Sequence, residues 1–186
     1  MKTYIWVLSS YFCLMSTVFA GHYLPDHVNQ FKKTNSCIKC DLSGAALNYE
    51  KHNNALLTGS DLMKAELRYS EFEHADFSSA MLVRASAENT TFMNTKFDGA
   101  NLLYFNGSNA HFSGASFNGA NLNEAKLVKA NFSNADFTGA TLKNADLSHC
   151  LLIGAKITIE QLSQAKTYKC AVLPDGTISN PNEEVC

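Results

Sequence analysis

An all-β solenoid with four-sided coils is the fold class this sequence predicts, and three observations carry it. Apolar residues recur every five positions. Like residues recur every twenty. Neither the helical period of 3.6 nor the strand period of 2 accounts for the same stretch.

The five-residue series of centres begins at Leu42 and runs through Leu47, Leu57, Leu62, Leu67, Phe72 and Phe77 to Leu152, Ile157 and Leu162. Only His52, Ala87 and Gly107 break it. Two residues before most centres stands a small residue, as at Ala65, Ala75, Ala100 and Ala120. Two residues after stands Gly or Asn in many units, as at Gly44, Gly59, Asn134 and Gly139. Two inward side chains followed by Gly or Asn describe a short extended step and then a turn, because Gly and Asn tolerate positive φ. The longer period shows in Leu62, Leu82, Leu102, Leu122 and Leu142, in Phe72, Phe92, Phe112 and Phe132, and in Phe77, Phe97, Phe117 and Phe137. Like residues recur where they stack, so four units make one coil and the section is square. At a strand spacing of about 4.8 Å, about six coils form a tower about 30 Å tall.

Units such as Ala120 to Glu124 (Ala-Asn-Leu-Asn-Glu), Ala135 to Gly139 (Ala-Asp-Phe-Thr-Gly) and Ala145 to His149 (Ala-Asp-Leu-Ser-His) resemble the A(D/N)LXX unit of pentapeptide-repeat proteins. The resemblance spans residues 37–162 in a single phase. It implies a right-handed quadrilateral β-helix with Leu or Phe and Ala inside. Cys37-Ile-Lys-Cys40 leading into Asp41-Leu-Ser-Gly-Ala resembles the start of many exported members. The stretch from Glu160 through Leu173-Pro-Asp-Gly-Thr resembles a common family terminus.

The chain has 186 residues, 46% of them hydrophobic and 17% charged, with a formal net charge of −2. That composition is globular, and without a block of like charge nothing argues for nucleic acid or an anionic membrane. Lys2, an apolar run from Tyr4 to Phe19, and Val18 and Ala20 at −3 and −1 read as a secretory signal at residues 1–20 cleaved before Gly21. The alternative is an uncleaved anchor, although the run is shorter than the roughly 20 residues a spanning helix needs. Export to the periplasm or the medium, or alternatively to an organelle lumen, favours disulfides over thiols. After cleavage, Cys37, Cys40, Cys150, Cys170 and Cys186 remain, an odd number. Cys37 and Cys40 form a structural disulfide or stand as two capping thiols, and Cys170–Cys186 is favoured for the tail. The rival is Cys150–Cys170, twenty apart.

A solenoid needs caps at its ends. Residues 21–36 form the first, with a short helix over Asp26 to Lys33, Asp26 as N-cap, and Val28 and Phe31 on one face. Residues 163–186 form the second. Thr158-Ile-Glu-Gln161 has the capping-box pattern and starts a helix to about Lys166, and Pro174-Asp175-Gly176 marks a turn.

The exceptions carry expectations of their own. Ala87 and Gly107 fall one coil apart on the same side, with Phe105 where Ala is usual. Close packing then implies a volume exchange in which Phe105 turns inward. His52 lies in a polar stretch, Asn48 to Asn54, and a loosened coil is expected there rather than a buried histidine. Its other reading is a metal ligand with Cys37 and Cys40, although no second pair supplies zinc-finger spacing.

No nucleophile elbow, phosphate loop, zincin motif or dinucleotide loop is present, so no enzyme activity and no cofactor is expected. One outward pattern departs from the polar rule. The residue just after each centre is Met63, Val83 and then Leu103 on one side, with Met81 and Tyr104 beside them. Ser78, Asp98 and Asn118 hold the equivalent positions on another side. A contiguous apolar stripe on a solvated wall marks a binding surface. The expected function is an exported, non-enzymatic scaffold or interaction module for a protein partner, itself a monomer or weak homodimer. Two alternatives stand beside it. Some members of the family mimic DNA and inhibit a topoisomerase, but those are cytoplasmic and strongly acidic, unlike this chain with Lys64, Arg84, Lys96, Lys126 and Lys143. The other is a metal-binding protein built on the N-terminal Cys-x-x-Cys.

Overall fold

The computed structural model describes residues 25–180; the expected signal segment and Cys186 lie outside them. The described chain is a solenoid-like β-helix flanked by two short helices, α1 (Pro25–Thr34) and α2 (Ile159–Gln164). As far as Lys156 its pairing consists of isolated parallel bridges, one in each five-residue unit, joining positions twenty apart: Ser36 with Leu56, Asp41 with Asp61, Ala46 with Glu66, Lys51 with Glu71, and so on up the chain.

The unit follows from where each backbone N–H finds an acceptor. In the unit centred on Leu62, the amides of Leu62 and Lys64 donate to Met81 and Val83 of the next coil, and Asp61 donates back to Cys40. The Ala65 amide closes the turn on the Leu62 carbonyl. The remaining amide, Met63, is capped by Asp61 Oδ1 at 2.9 Å. Asp76, Asn101, Asn121, Asp136 and Asp146 repeat that cap. Elsewhere an Asn in the preceding coil replaces it, as when Asn48 Oδ1 accepts from the Arg68 amide at 2.8 Å. The Asp or Asn of the repeat is therefore a turn cap before it is a surface charge. The turn residue after it holds φ between +55° and +70° from Asn35 to Cys170, and Lys64, Tyr69, Arg84 and Tyr104 take that conformation as well as Gly and Asn.

Inside, the phenylalanines form two ladders. Phe72, Phe92, Phe112 and Phe132 stack with centroids 4.9 to 5.7 Å apart, and Phe77, Phe97, Phe117 and Phe137 with centroids 5.0 to 5.2 Å apart. Between ladders the rings meet edge to face. Both geometries suit the ring quadrupole, and every one of these rings is fully buried. Where Ser, Thr or Cys replaces the inward Ala, the side chain donates to a main-chain carbonyl twenty-three residues back. Ser70 reaches Leu47 at 2.7 Å, Thr90 reaches Leu67 at 2.6 Å, and Cys150 Sγ reaches Leu127 at 2.9 Å. The polar atom is thus buried without loss of a partner.

Phe105 is fully buried, and a Cβ added at Gly107 would lie 2.8 Å from its ring. Phe105 therefore occupies the space a Leu at 107 would take, the exchange the sequence implied. The expectation for His52 is overturned. It is 5% exposed in an unbroken coil, stacked between Phe31 of α1 and Phe72. Its two ring nitrogens meet Asn35 Oδ1 at 2.9 Å and Glu50 Oε2 at 2.8 Å. The polar neighbours do not loosen the coil; they satisfy the buried ring. Asp26 is corrected too. It sits in the first turn of α1, which opens on Pro25, a residue suited to that position because it has no amide to leave unpaired. Val28 and Phe31 face the core as expected.

At the far end Thr158 and Gln161 form a reciprocal capping box, and Gln161 Nε2 donates to the Phe137 and Ala140 carbonyls, tying α2 to the open edge. The helix ends at Gln164, earlier than the sequence suggested. The parallel pairing continues beyond residue 162, where the sequence reading closed the repeats. Thr167 pairs with Asp146 and Val172 with Leu151, an offset of twenty-one that absorbs the helix.

Lys156 Nζ lies 2.8 Å from Asp136 Oδ2, and this contact, with the Thr138 hydroxyl and amide, holds the Asp136 carboxyl down at about 2. Because the folded value is depressed, its stabilisation is complete above an unfolded value of about 3.9 and is lost as pH falls towards 2. Asp136→Asn should flatten the acid limb of the stability profile in that window. The Lys156 share should shrink with salt, since the pair is exposed.

Candidate functional site

The apolar stripe is built by the turn geometry. Met63, Val83 and Leu103 each follow a fully buried leucine, so successive coils stack them in one column. All three are half-buried, while Met81 and Tyr104 beside them are 42% and 49% exposed. The Met63 and Leu103 turns are capped by Asp61 and Asn101. Lys64 and Arg84 are exposed along one edge, and the Arg84 guanidinium lies 5.5 Å over the Tyr104 ring. Ser43, Asp61, Met63 and Lys64 line a recess of about 190 Å³ at the N-terminal end of the stripe. The wall offers apolar contact edged on one side by Lys64 and Arg84.

Cys37 and Cys40 are joined by a disulfide, with Cα atoms 5.4 Å apart. Both imidazole nitrogens of His52 are engaged by Asn35 and Glu50. Among the described residues, no group of three or more His, Cys, Asp and Glu is placed to hold a metal ion. Cys170 takes part in a disulfide, and Cys186, its expected partner, is not among the described residues. The rival pairing with Cys150 fails, because Cys150 is a free, buried thiol. Burial pushes that thiol up to about 12. In the chain without residues 1–20, Cys150 should therefore resist thiol reagents when native and take up one equivalent after unfolding in urea without reductant, as read by mass spectrometry.

A second feature escaped the sequence reading. Tyr49 and Tyr69 stand twenty residues apart at the turn position where Gly or Asn is usual, which was the available signal. Their rings are parallel within 1°, with centroids 5.1 Å apart. They border a groove of about 420 Å³ that also includes Arg68, Glu88 and Asn89.

One comparison decides the family. The family model for pentapeptide repeats matches eight copies, over residues 40–78, 70–103, 108–144 and 130–158. The chain belongs to the pentapeptide-repeat family. Comparison with curated proteins returned no match. Among solved structures, this pentapeptide-repeat chain is similar to a pentapeptide repeat protein of the Arabidopsis thaliana thylakoid lumen, at 20% identity over 63% of this chain and 74% of that one, with a TM-score of 0.45. It is similar also to HetL of Nostoc sp. strain PCC 7120, a pentapeptide repeat protein involved in heterocyst differentiation regulation, at 19% identity over 85% and 100%, TM-score 0.33. A third is QnrB1, a plasmid-mediated fluoroquinolone resistance protein, at 21% identity over 74% and 84%, TM-score 0.30.

Proposed function

We propose that this pentapeptide-repeat protein is an exported, non-enzymatic scaffold that docks a protein partner on the column of Met63, Val83 and Leu103. The observation that carries the reading is the column itself, three apolar residues in register at the places that Thr58, Ser78, Asp98 and Asn118 hold on another side. Met81 and Tyr104 widen the surface, and Lys64 and Arg84 favour a partner whose apolar ridge is edged by carboxylates. In this reading residues 1–20 direct export and are removed, and residues 21–36 cap a right-handed, four-sided shaft. The pentapeptide units run over residues 37–162 in about six coils, and the C-terminal segment extends their parallel pairing through Thr167 and Val172. The tail, 163–186, is held down by Cys170–Cys186. The compartment is the periplasm or the medium, and disulfide chemistry there supports it. A topoisomerase inhibitor acting as a DNA mimic is less well supported, because acids on the walls are interleaved with bases, as in Lys51 with Glu71, Arg68 with Glu66 and Lys156 with Asp136.

The test is a crosslinking pull-down from the native compartment with the wild-type chain and with Val83→Asp/Leu103→Asp. Loss of a specific partner, or of self-association by size-exclusion chromatography, is the expected result. Unchanged binding by a variant with native circular dichroism rejects the surface.

A further inference from the structure

The column of Met63, Val83 and Leu103 runs along the shaft with one residue per coil, and its two edges differ in charge. In each unit the residues on either side of the buried centre point outward, and the turn residue follows them. Asp61 and Met81 therefore lie along one edge of the column, and Lys64 and Arg84 along the other. Asp61 is half-buried, with Oδ1 on the Met63 amide, while Lys64 and Arg84 are exposed. Among the described residues neither of those cations takes part in an ion pair.

We propose that the occupant of this wall is a second copy of the chain, packed wall to wall about a twofold axis parallel to the shaft. The proposal rests on the docking surface described above and names its partner. The operation keeps each residue at its height and exchanges the two edges, so Met63, Val83 and Leu103 each meet their own copy. Pitch and charge select this occupant. Both walls share one coil spacing, so the apolar contacts stay in register. A strand laid along the column would advance roughly 7 Å per outward residue against about 4.8 Å per coil, and would lose register at once. An α-helix comes nearer, at about 5.4 Å per turn, but a copy of this chain also brings a carboxylate to the edge that holds Lys64. In the parallel pair Lys64 meets the partner subunit's Asp61, twice by symmetry, and Arg84 lies over the partner subunit's Met81. Turning one shaft end for end would set Arg84 against its own copy instead. Above Leu103 the column reads Asn123 and then Lys143, which would face its own copy, so the contact is confined to the lower coils. A patch of about three coils falls short of the roughly 800 Å² per partner of a standard interface, and the dimer is accordingly weak.

The experiment is sedimentation equilibrium on the chain without residues 1–20, from about 10 µM to about 1 mM, the range over which a weak dimer dissociates. The wild type should pass from monomer to dimer. Asp61→Lys and Lys64→Asp should each weaken dimerisation about ten-fold, because each sets like charges together at both symmetric contacts. An equimolar mixture of the two variants should recover it to within about three-fold of the wild type, since each supplies the charge the other lacks. Met81 holds the place of Asp61 one coil up without a capping oxygen, so the fold tolerates loss of that cap. Should Asp61→Lys nevertheless fail to melt like the wild type, Asp61→Asn keeps the cap, as Asn101 does, and should weaken the dimer about three-fold. A chain that stays monomeric at the highest concentration, a mixture no better than either variant alone, or a dimer that survives Val83→Asp/Leu103→Asp overturns the proposal. A monomeric wild type that still loses a different protein on Val83→Asp/Leu103→Asp overturns the second copy and leaves the docking surface standing. A monomeric wild type with an unchanged pull-down removes both.

Discussion

Phe105→Ala is expected to lower the unfolding free energy by about 3–5 kcal/mol, measured by urea unfolding followed by circular dichroism. The ring is fully buried and lies 6.4 Å, centroid to centroid, from Phe112 in the adjoining ladder. Below it Gly107 supplies no side chain to refill the space, so the cavity cannot collapse. The reverse exchange makes the test sharper. Gly107→Leu alone should cost about 1–3 kcal/mol or more from overpacking, since even its Cβ meets Phe105, Leu127 and Phe112 within 3.2 Å. Phe105→Ala/Gly107→Leu rebuilds an ordinary repeat unit and should return to within about 1.5 kcal/mol of the wild type. Simple additivity of the two losses, or a Phe105→Ala loss of a surface site's size, would show that the two positions do not share one volume.

His52→Ala should cost about 2–4 kcal/mol, from a cavity and two unmade hydrogen bonds. His52 joins α1 to the first Phe ladder. Its ring lies 4.4 Å from Phe31 and 5.4 Å from Phe72, and its nitrogens meet Asn35 and Glu50. Burial would raise the Glu50 carboxyl, yet the hydrogen bonds from Lys32 and His52 outweigh it and hold that group below its usual range. Removing the imidazole takes away one of those two supports. Hydrogen exchange should therefore quicken in α1 and the first coil before it does near α2. His52→Phe, which restores the residue found at 72, 92, 112 and 132, keeps the ring packing and loses only the polar contacts, so it should fall between alanine and wild type. Equal exchange throughout the chain would mean that the histidine is not the pin of the N-terminal cap.

Periodicity made most of the shaft legible. Leu62, Phe72 and Phe77 recur at twenty because the parallel register is twenty, and a one-residue slip would throw every centre out of the core. The capping box at Thr158 and the buried face of α1 were readable for the same local reason: each depends on neighbours in sequence. The stripe at Met63, Val83 and Leu103 was visible once the period was known. What depends on neighbours twenty or more residues away was not. The burial of His52 rests on Asn35 and Phe31, which reach it only after α1 folds over the first coil. The freedom of Cys150 rests on α2, which shifts the following register to twenty-one and carries Cys170 away from it. The tyrosine groove needs the stacking of Tyr49 on Tyr69, which joins turns of two successive coils. Local periodicity, then, specifies which side chains point inward. Only the stacked coils decide which buried polar atoms find partners, because those partners come from other coils and from the caps.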